Sequence, residues 1–198
     1  MNYLAHIYLS GNIDEVKIGN FIGDYVKGGA FHIYPEKIKK GILLHRFIDS
    51  FTDKNTYTLD AKILFAPKYR KYSGIVIDIL YDHFLASNWS RYSFEPLEVF
   101  IDNFHDLLIK NNNMLPTEVQ NMVPRLIQNK RLLSYKDIEG IRSVLSTMSK
   151  FTSLPDYSDF AIDVLKDHYE FLKRNFFLFF SDITYYIKTV HNVDIKGV

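Results

Sequence analysis

Three segments place ionisable side chains at helical spacing inside apolar surroundings, and their residue types suit metal-assisted hydrolysis. In Leu44-His45-Arg46-Phe47-Ile48-Asp49, His45 and Asp49 are four residues apart and Asp53 continues the row. On a helix they share a face, so one imidazole and one carboxylate can reach a single cation. The same pair can also hydrogen-bond simply to satisfy a buried histidine. Asn20 and Asp24, in Gly19-Asn20-Phe21-Ile22-Gly23-Asp24, repeat that spacing. The third segment, Asp78-Ile79-Leu80-Tyr81-Asp82-His83, sets two acids on the most apolar stretch of the chain. Burying an isolated carboxylate is costly or forces it to stay protonated. A divalent cation shared by both resolves the conflict; pairing with Arg46 or His6 is the alternative. His83 lies about 100° round such a helix from Asp82, a weaker ligand position.

Together these residues offer one or two imidazoles and four carboxylates, a set that suits Mn²⁺, Mg²⁺ or Fe²⁺ better than structural zinc. The chemistry would be attack of an activated water on phosphorus, with the phosphate charge shielded. Arg46 can clamp a phosphate oxygen or orient Asp49 or Asp82. His6 sits on a short apolar segment and reads as a core histidine or a further ligand. His32, His105 and His191 have no polar partner at suggestive spacing. The series Phe171, Phe176, Phe177, Phe179 and Phe180 reads as packing.

Helices must position these groups, since helical periodicity dominates and strand alternation is scarce. Asn2 is placed to cap a first helix ending near Gly11. A second is expected from Asp14 to Lys27, stopping at Gly28-Gly29. Pro35 reads as the first turn of a helix running towards Phe51, and Pro67 as the start of one leading into Tyr72 to Trp89. Ile75 to Leu85 is apolar nearly all round and belongs at the centre of a domain. Further helices follow Pro96 and Pro116, one begins near Ser134 with capping-box spacing, and Pro155 opens a long last helical region, continuous or broken, to about Val190. The expected fold is all-α: one domain over 1–198, a bundle of about seven or eight helices.

Composition narrows the function classes. The 198 residues are 47% apolar with 6 Pro and 9 Gly, a globular balance without linkers. With no cysteine, disulfides and thiolate zinc are excluded. The N-terminus lacks a basic leader, and Phe176 to Tyr186 is interrupted by Ser181 and Asp182, too short for a membrane span; a cytoplasmic protein is expected. A net charge of +1 gives no broad basic face for nucleic acid. Local clusters, Lys37/Lys39/Lys40 and Lys68/Arg70/Lys71, are either solvated helix ends or a patch for an acidic partner.

In order and spacing the first 90 or so residues resemble the acyl carrier protein phosphodiesterase family. The resemblance is carried by Met1-Asn2-Tyr3-Leu4-Ala5-His6, by Gly19-Asn20-Phe21-Ile22-Gly23-Asp24-Tyr25-Val26-Lys27-Gly28, by Leu44-His45-Arg46-x-Ile48-Asp49-x-Phe51-Thr52-Asp53, and by Asp78-x-x-x-Asp82-His83-Phe84-Leu85 with Trp89 downstream. Beyond Trp89 it is diffuse, with Asp167-His168-Tyr169 the best later candidate. It implies an all-α fold distantly like the HD-domain phosphohydrolases and Mn²⁺-dependent hydrolysis. The implied substrate is holo-acyl carrier protein, an acidic protein, cut to the apo form and 4′-phosphopantetheine. The implied site is Asp24, His45, Asp49, Asp78 and Asp82, with His6 and His83 as weaker members. The adjacent His-Asp pair of HD enzymes is absent: His45 is followed by Arg46, and 82–83 runs Asp then His. Two other readings fit the same residues: a metal-dependent phosphohydrolase of small nucleotides or other phosphoesters, and a non-catalytic helical binding protein whose acids and histidines form a hydrogen-bond network.

Overall fold

The computed structural model describes residues 1–195, and their regular structure is helical, with no strand among the described residues. The helices are α1 (Tyr3–Leu9), α2 (Asp14–Phe21), α3 (Glu36–Lys54), α4 (Thr56–Tyr69), α5 (Ser73–Ser87), α6 (Leu97–Lys110), α7 (Thr117–Gln128), α8 (Arg131–Ser134), α9 (Ile138–Phe151), α10 (Ser158–Asp167) and α11 (Tyr169–Val190). The all-α expectation holds. There are more pieces than seven or eight because α4 is a helix of its own ahead of α5, α8 is a single turn and the last region breaks at His168.

Apolar periodicity explains most of the elements. α5 is buried nearly all round, from Val76 to Ala86, and contacts α1, α4, α9 and α11. The rings of α11 close over it: Tyr81 stacks on Phe179 at 4.8 Å, and Phe84 lies 5.8 Å from Phe176. Phe176, Phe179 and Phe180 are therefore packing residues, whereas Phe171 is exposed.

Local signals misled at three boundaries. α2 ends at Phe21, and Gly23–Tyr25 form a 3-10 turn, so Asp24 is not on the helix of Asn20. Pro67 lies inside the last turn of α4 rather than opening a helix. The buried stripe Ala61, Phe65, Tyr69, at successive four-residue steps, carries α4 through it. Ser134 ends α8, its hydroxyl donating to the Arg131 carbonyl, and α9 starts only after Asp137. Gly140 explains the fold-back there, because a Cβ on it would collide with the Ser134 carbonyl.

The close packing of α2 on α3 positions the candidate site. Gly19 and Gly41 face each other where the helices cross, and a Cβ on either would strike the opposite backbone. That approach sets Asn20 against His45.

Candidate metal centre

Three helices deliver the cluster: α1 contributes His6, α2 contributes Asn20, and α3 contributes His45 and Asp49 one turn apart. The next glycine, Gly23, lets the 3-10 turn run across the His45 ring, where a side chain would collide with it. The two imidazoles stack, centroids 4.2 Å apart and 22° between planes.

Hydrogen bonds fix both tautomers. The Asn20 amide nitrogen donates to the His6 carbonyl and to Ser10 Oγ, each at 2.8 Å. A carbonyl can only accept, so Asn20 Oδ1 must be the atom 2.7 Å from His6 Nδ1. His6 Nδ1 therefore carries the proton. The backbone carbonyl of Asn20 lies 2.8 Å from His45 Nδ1 and fixes that ring likewise. Each neutral imidazole then turns an unprotonated Nε2 toward oxygen atoms that also have only lone pairs to offer. His6 Nε2 is 3.2 Å from Asp49 Oδ1 and 3.0 Å from the Met1 carbonyl. His45 Nε2 is 3.0 Å from Asp49 Oδ2 and 3.4 Å from Asp24 Oδ1, yet it makes no aligned hydrogen bond.

Electrostatics echo this crowding. Burial pulls the His45 imidazole down, but the carboxylates of Asp24 and Asp49 outweigh it and hold it up at about 9. Burial and then the neighbouring His45 push His6 below its ordinary value, so His6 is neutral. Asp49 is raised by burial, but its contacts with His45 and His6 carry it well below the usual carboxylate range. Contact with His45 lowers Asp24, against burial.

A proton on His45 relieves one side of this arrangement and leaves His6 Nε2 facing two acceptors. A cation relieves both sides. His6, His45 and Asp49 offer ligand atoms all within 4.8 Å of one another. Two imidazole nitrogens and a carboxylate that close together are donors a divalent ion would accept. The donor set fits a divalent metal.

The other residues expected at the site stand at different distances from the cluster. Asp24 does reach the cluster, with its side chain largely exposed at the rim. Asp78 is one step removed, accepting from the Met1 amino nitrogen at 2.9 Å, which also lies 3.8 Å from Asp49. Asp82 is fully buried but turned to α1, where its two oxygens accept from the amides of Leu4 and Ala5 at 2.8 and 3.1 Å. It caps the helix start that presents His6. Burial raises Asp82 to about 7 although those amides and the Met1 amine oppose the shift. Arg46 turns away from the cluster, bonding the carbonyls of Val26 and Gly28 at 2.8 Å and covering the Phe31 ring. His83 bonds the Tyr135 carbonyl at 2.8 Å, with Tyr169 beyond its other nitrogen. His168 of the later candidate trio is only the break between α10 and α11. Asn20 was legible as a partner of Asp24 but not as the hub of two histidines, because His6 lies in a separate helix.

A cavity of about 340 Å³, lined by Asp24, Asp49, Thr52, Asp53, Ile75 and Asp78 among others, opens onto the cluster. A larger one of about 640 Å³, lined by Tyr8, Lys17, Phe100 and Lys110 among others, holds none of the cluster residues. Chemistry, not size, singles out the smaller. No helix among the described residues is long and apolar enough to cross a membrane.

Comparison with known proteins points to one family. The family profile described as acyl carrier protein phosphodiesterase matches residues 1–183. A protein of Enterobacter sp. (strain 638) bearing that name is 31% identical over 181 residues, covering 91% of this chain and 94% of its own. One from Pectobacterium atrosepticum with the same name is 34% identical over 150 residues, 75% of this chain and 78% of its own. Another, from Salmonella agona, is 30% identical over 181 residues, 91% of this chain and 94% of its own. No solved structure matches significantly.

Proposed function

The chain belongs to the acyl carrier protein phosphodiesterase family, and from that membership we propose that it hydrolyses the serine–phosphopantetheine phosphodiester of holo-acyl carrier protein. The products are apo-acyl carrier protein and 4′-phosphopantetheine. One observation carries the reading: His6 and His45, each with Nδ1–H fixed by a carbonyl oxygen of Asn20, both turn Nε2 to the carboxylate of Asp49, bare on His6 and freed on His45 once its proton leaves. His6, His45 and Asp49 are the proposed ligands, with Asp24 at the rim and Asp78 behind Met1. The proposed ion is Mn²⁺, with Fe²⁺ and Mg²⁺ as competitors. Two imidazoles with one carboxylate weigh against Mg²⁺.

Held by His6, His45 and Asp49, a divalent ion would supply an activated water and neutralise phosphate charge. Water oxygen bonds to phosphorus, the bond from phosphorus to the serine oxygen breaks, and serine leaves protonated. Asp24, ionised and open to solvent, is placed to take the proton of the water, and solvent at the open mouth returns one to serine. Asn20 keeps both imidazoles in their ligating tautomer. Asp82 contributes through α1 rather than by touching substrate. Arg46 fixes the turn around Gly28 and is not assigned to phosphate binding. A cytoplasmic setting and residues 1–198 acting as one domain belong to the same proposal.

The test is incubation of the purified protein with holo-acyl carrier protein and Mn²⁺, followed by mass spectrometry. Loss of the phosphopantetheine mass from the protein, with free 4′-phosphopantetheine appearing, is the expected result. A small-nucleotide panel run in parallel separates the neighbouring phosphohydrolase reading.

A further inference from the structure

A second cavity, of about 530 Å³, adjoins the mouth of the metal centre: Asp53, Ile75 and Asp78 line both. Its far side is α4 and the turn after it, which bring in Lys62, Ile63, Arg70 and Lys71.

Charge there is unbalanced. Lys62 is paired with Asp53 at 2.7 Å, and Asp78 with the Met1 amine. Arg70 and Lys71, by contrast, have no carboxylate within ion-pair distance among the described residues, and neither does Lys68 on the last turn of α4. Arg70 also holds φ 48° and ψ −121°, a backbone state that only glycine adopts without strain. Glycine would relieve that strain but would remove the guanidinium.

Apolar surface lies beside the cations. Leu59 and Ile63, one turn apart on the outer face of α4, are 46% and 68% exposed. A partner that covers them while meeting Arg70 and Lys71 needs an apolar centre and a carboxylate rim, the usual layout of a protein interface.

We propose that this groove on α4 and the following turn is where the protein bearing the phosphodiester docks, through an acidic face with an apolar centre. The inference rests on the reading above: the scissile ester joins a small arm to a protein, the cavity at Asp49 has room only for the arm, and the protein body must land beside it. Charge complementarity at the groove selects and speeds encounter with an acidic carrier.

The experiment compares Arg70→Glu/Lys71→Glu and Ile63→Asp with the unaltered protein, using holo-acyl carrier protein and bis(p-nitrophenyl) phosphate as substrates. All positions are exposed, and thermal melts and bound manganese verify that the fold and the metal centre persist. Expected is a fall in kcat/KM on the carrier protein of roughly tenfold or more for the double variant. The loss should reside mainly in KM, with a flattened dependence on salt and unchanged turnover of the small diester. Equal kcat/KM on the carrier protein, with turnover by the unaltered protein intact, would overturn the docking site alone. No release of phosphopantetheine by the unaltered protein would overturn both the docking site and the reading beneath it.

Discussion

Asn20 Oδ1 and His6 Nδ1 meet at 2.7 Å, and the amide can be oriented in only one way because its nitrogen faces the His6 carbonyl. The side chain of Asn20 thus fixes one imidazole and its backbone carbonyl fixes the other. Partners of this kind set the tautomer and orientation of ligating histidines. Replacing Asn20 by Ala frees His6 while leaving the backbone bond to His45. Manganese affinity should fall roughly 10–100-fold, read by calorimetry, and imidazole nitrogen shifts in NMR should show the His6 tautomers mixing. Unchanged affinity with an unmixed His6 tautomer would remove Asn20 from this role.

Asp49 and Asp82 separate ligand from scaffold. Asp49→Asn should abolish stoichiometric metal while leaving the helices intact. In Asp82→Asn only one of the Leu4 and Ala5 amides keeps an acceptor, because the new NH₂ confronts the other. The expected cost is about 1–3 kcal/mol of stability, with metal retained at saturating concentration. Denaturant unfolding and metal analysis of the two variants decide between the roles.

The metal-free protein should show a pH signature. His45 has its folded value near 9, above the ordinary 6.5. Its contribution to stability is therefore complete below about pH 6.5 and is lost as pH rises through about 9. Asp49, held below the usual range, contributes above the ordinary carboxylate value and loses that contribution in acid. Melting temperature in chelator should consequently sag between pH 6.5 and 9. Manganese displaces the His45 proton, so the loaded protein should lack the sag. Binding at pH 7 should release about one proton, seen as a buffer-dependent enthalpy.

Gly23 is a steric requirement of the His45 ring. A Cβ there collides with the imidazole, so Gly23→Ala should leave the circular dichroism spectrum helical yet move His45 from its place. A loss of metal affinity on the order of tenfold or more is expected. Full affinity would show that the turn can shift without disturbing the ring.

Much of this protein was legible in its residues. The His45–Asp49 pair is set by the helical repeat, which no distant contact needs to create. The all-round apolar run of α5 announced a central helix, and the proline and glycine signals located several ends correctly. Spacing within one helix says nothing about where its face points, however. Asp82 has the same four-residue relation to Asp78 that Asn20 has to Asp24, yet Asp82 is consumed by the amides of α1, and Asp24 left its helix for a 3-10 turn. Periodicity alone therefore determined the chemistry available to α3. Only the packing of α1, α2 and α3 decided that His6 joins His45 and Asp49, because that meeting depends on glycines at a helix crossing and on an asparagine that bonds across two chain-distant rings.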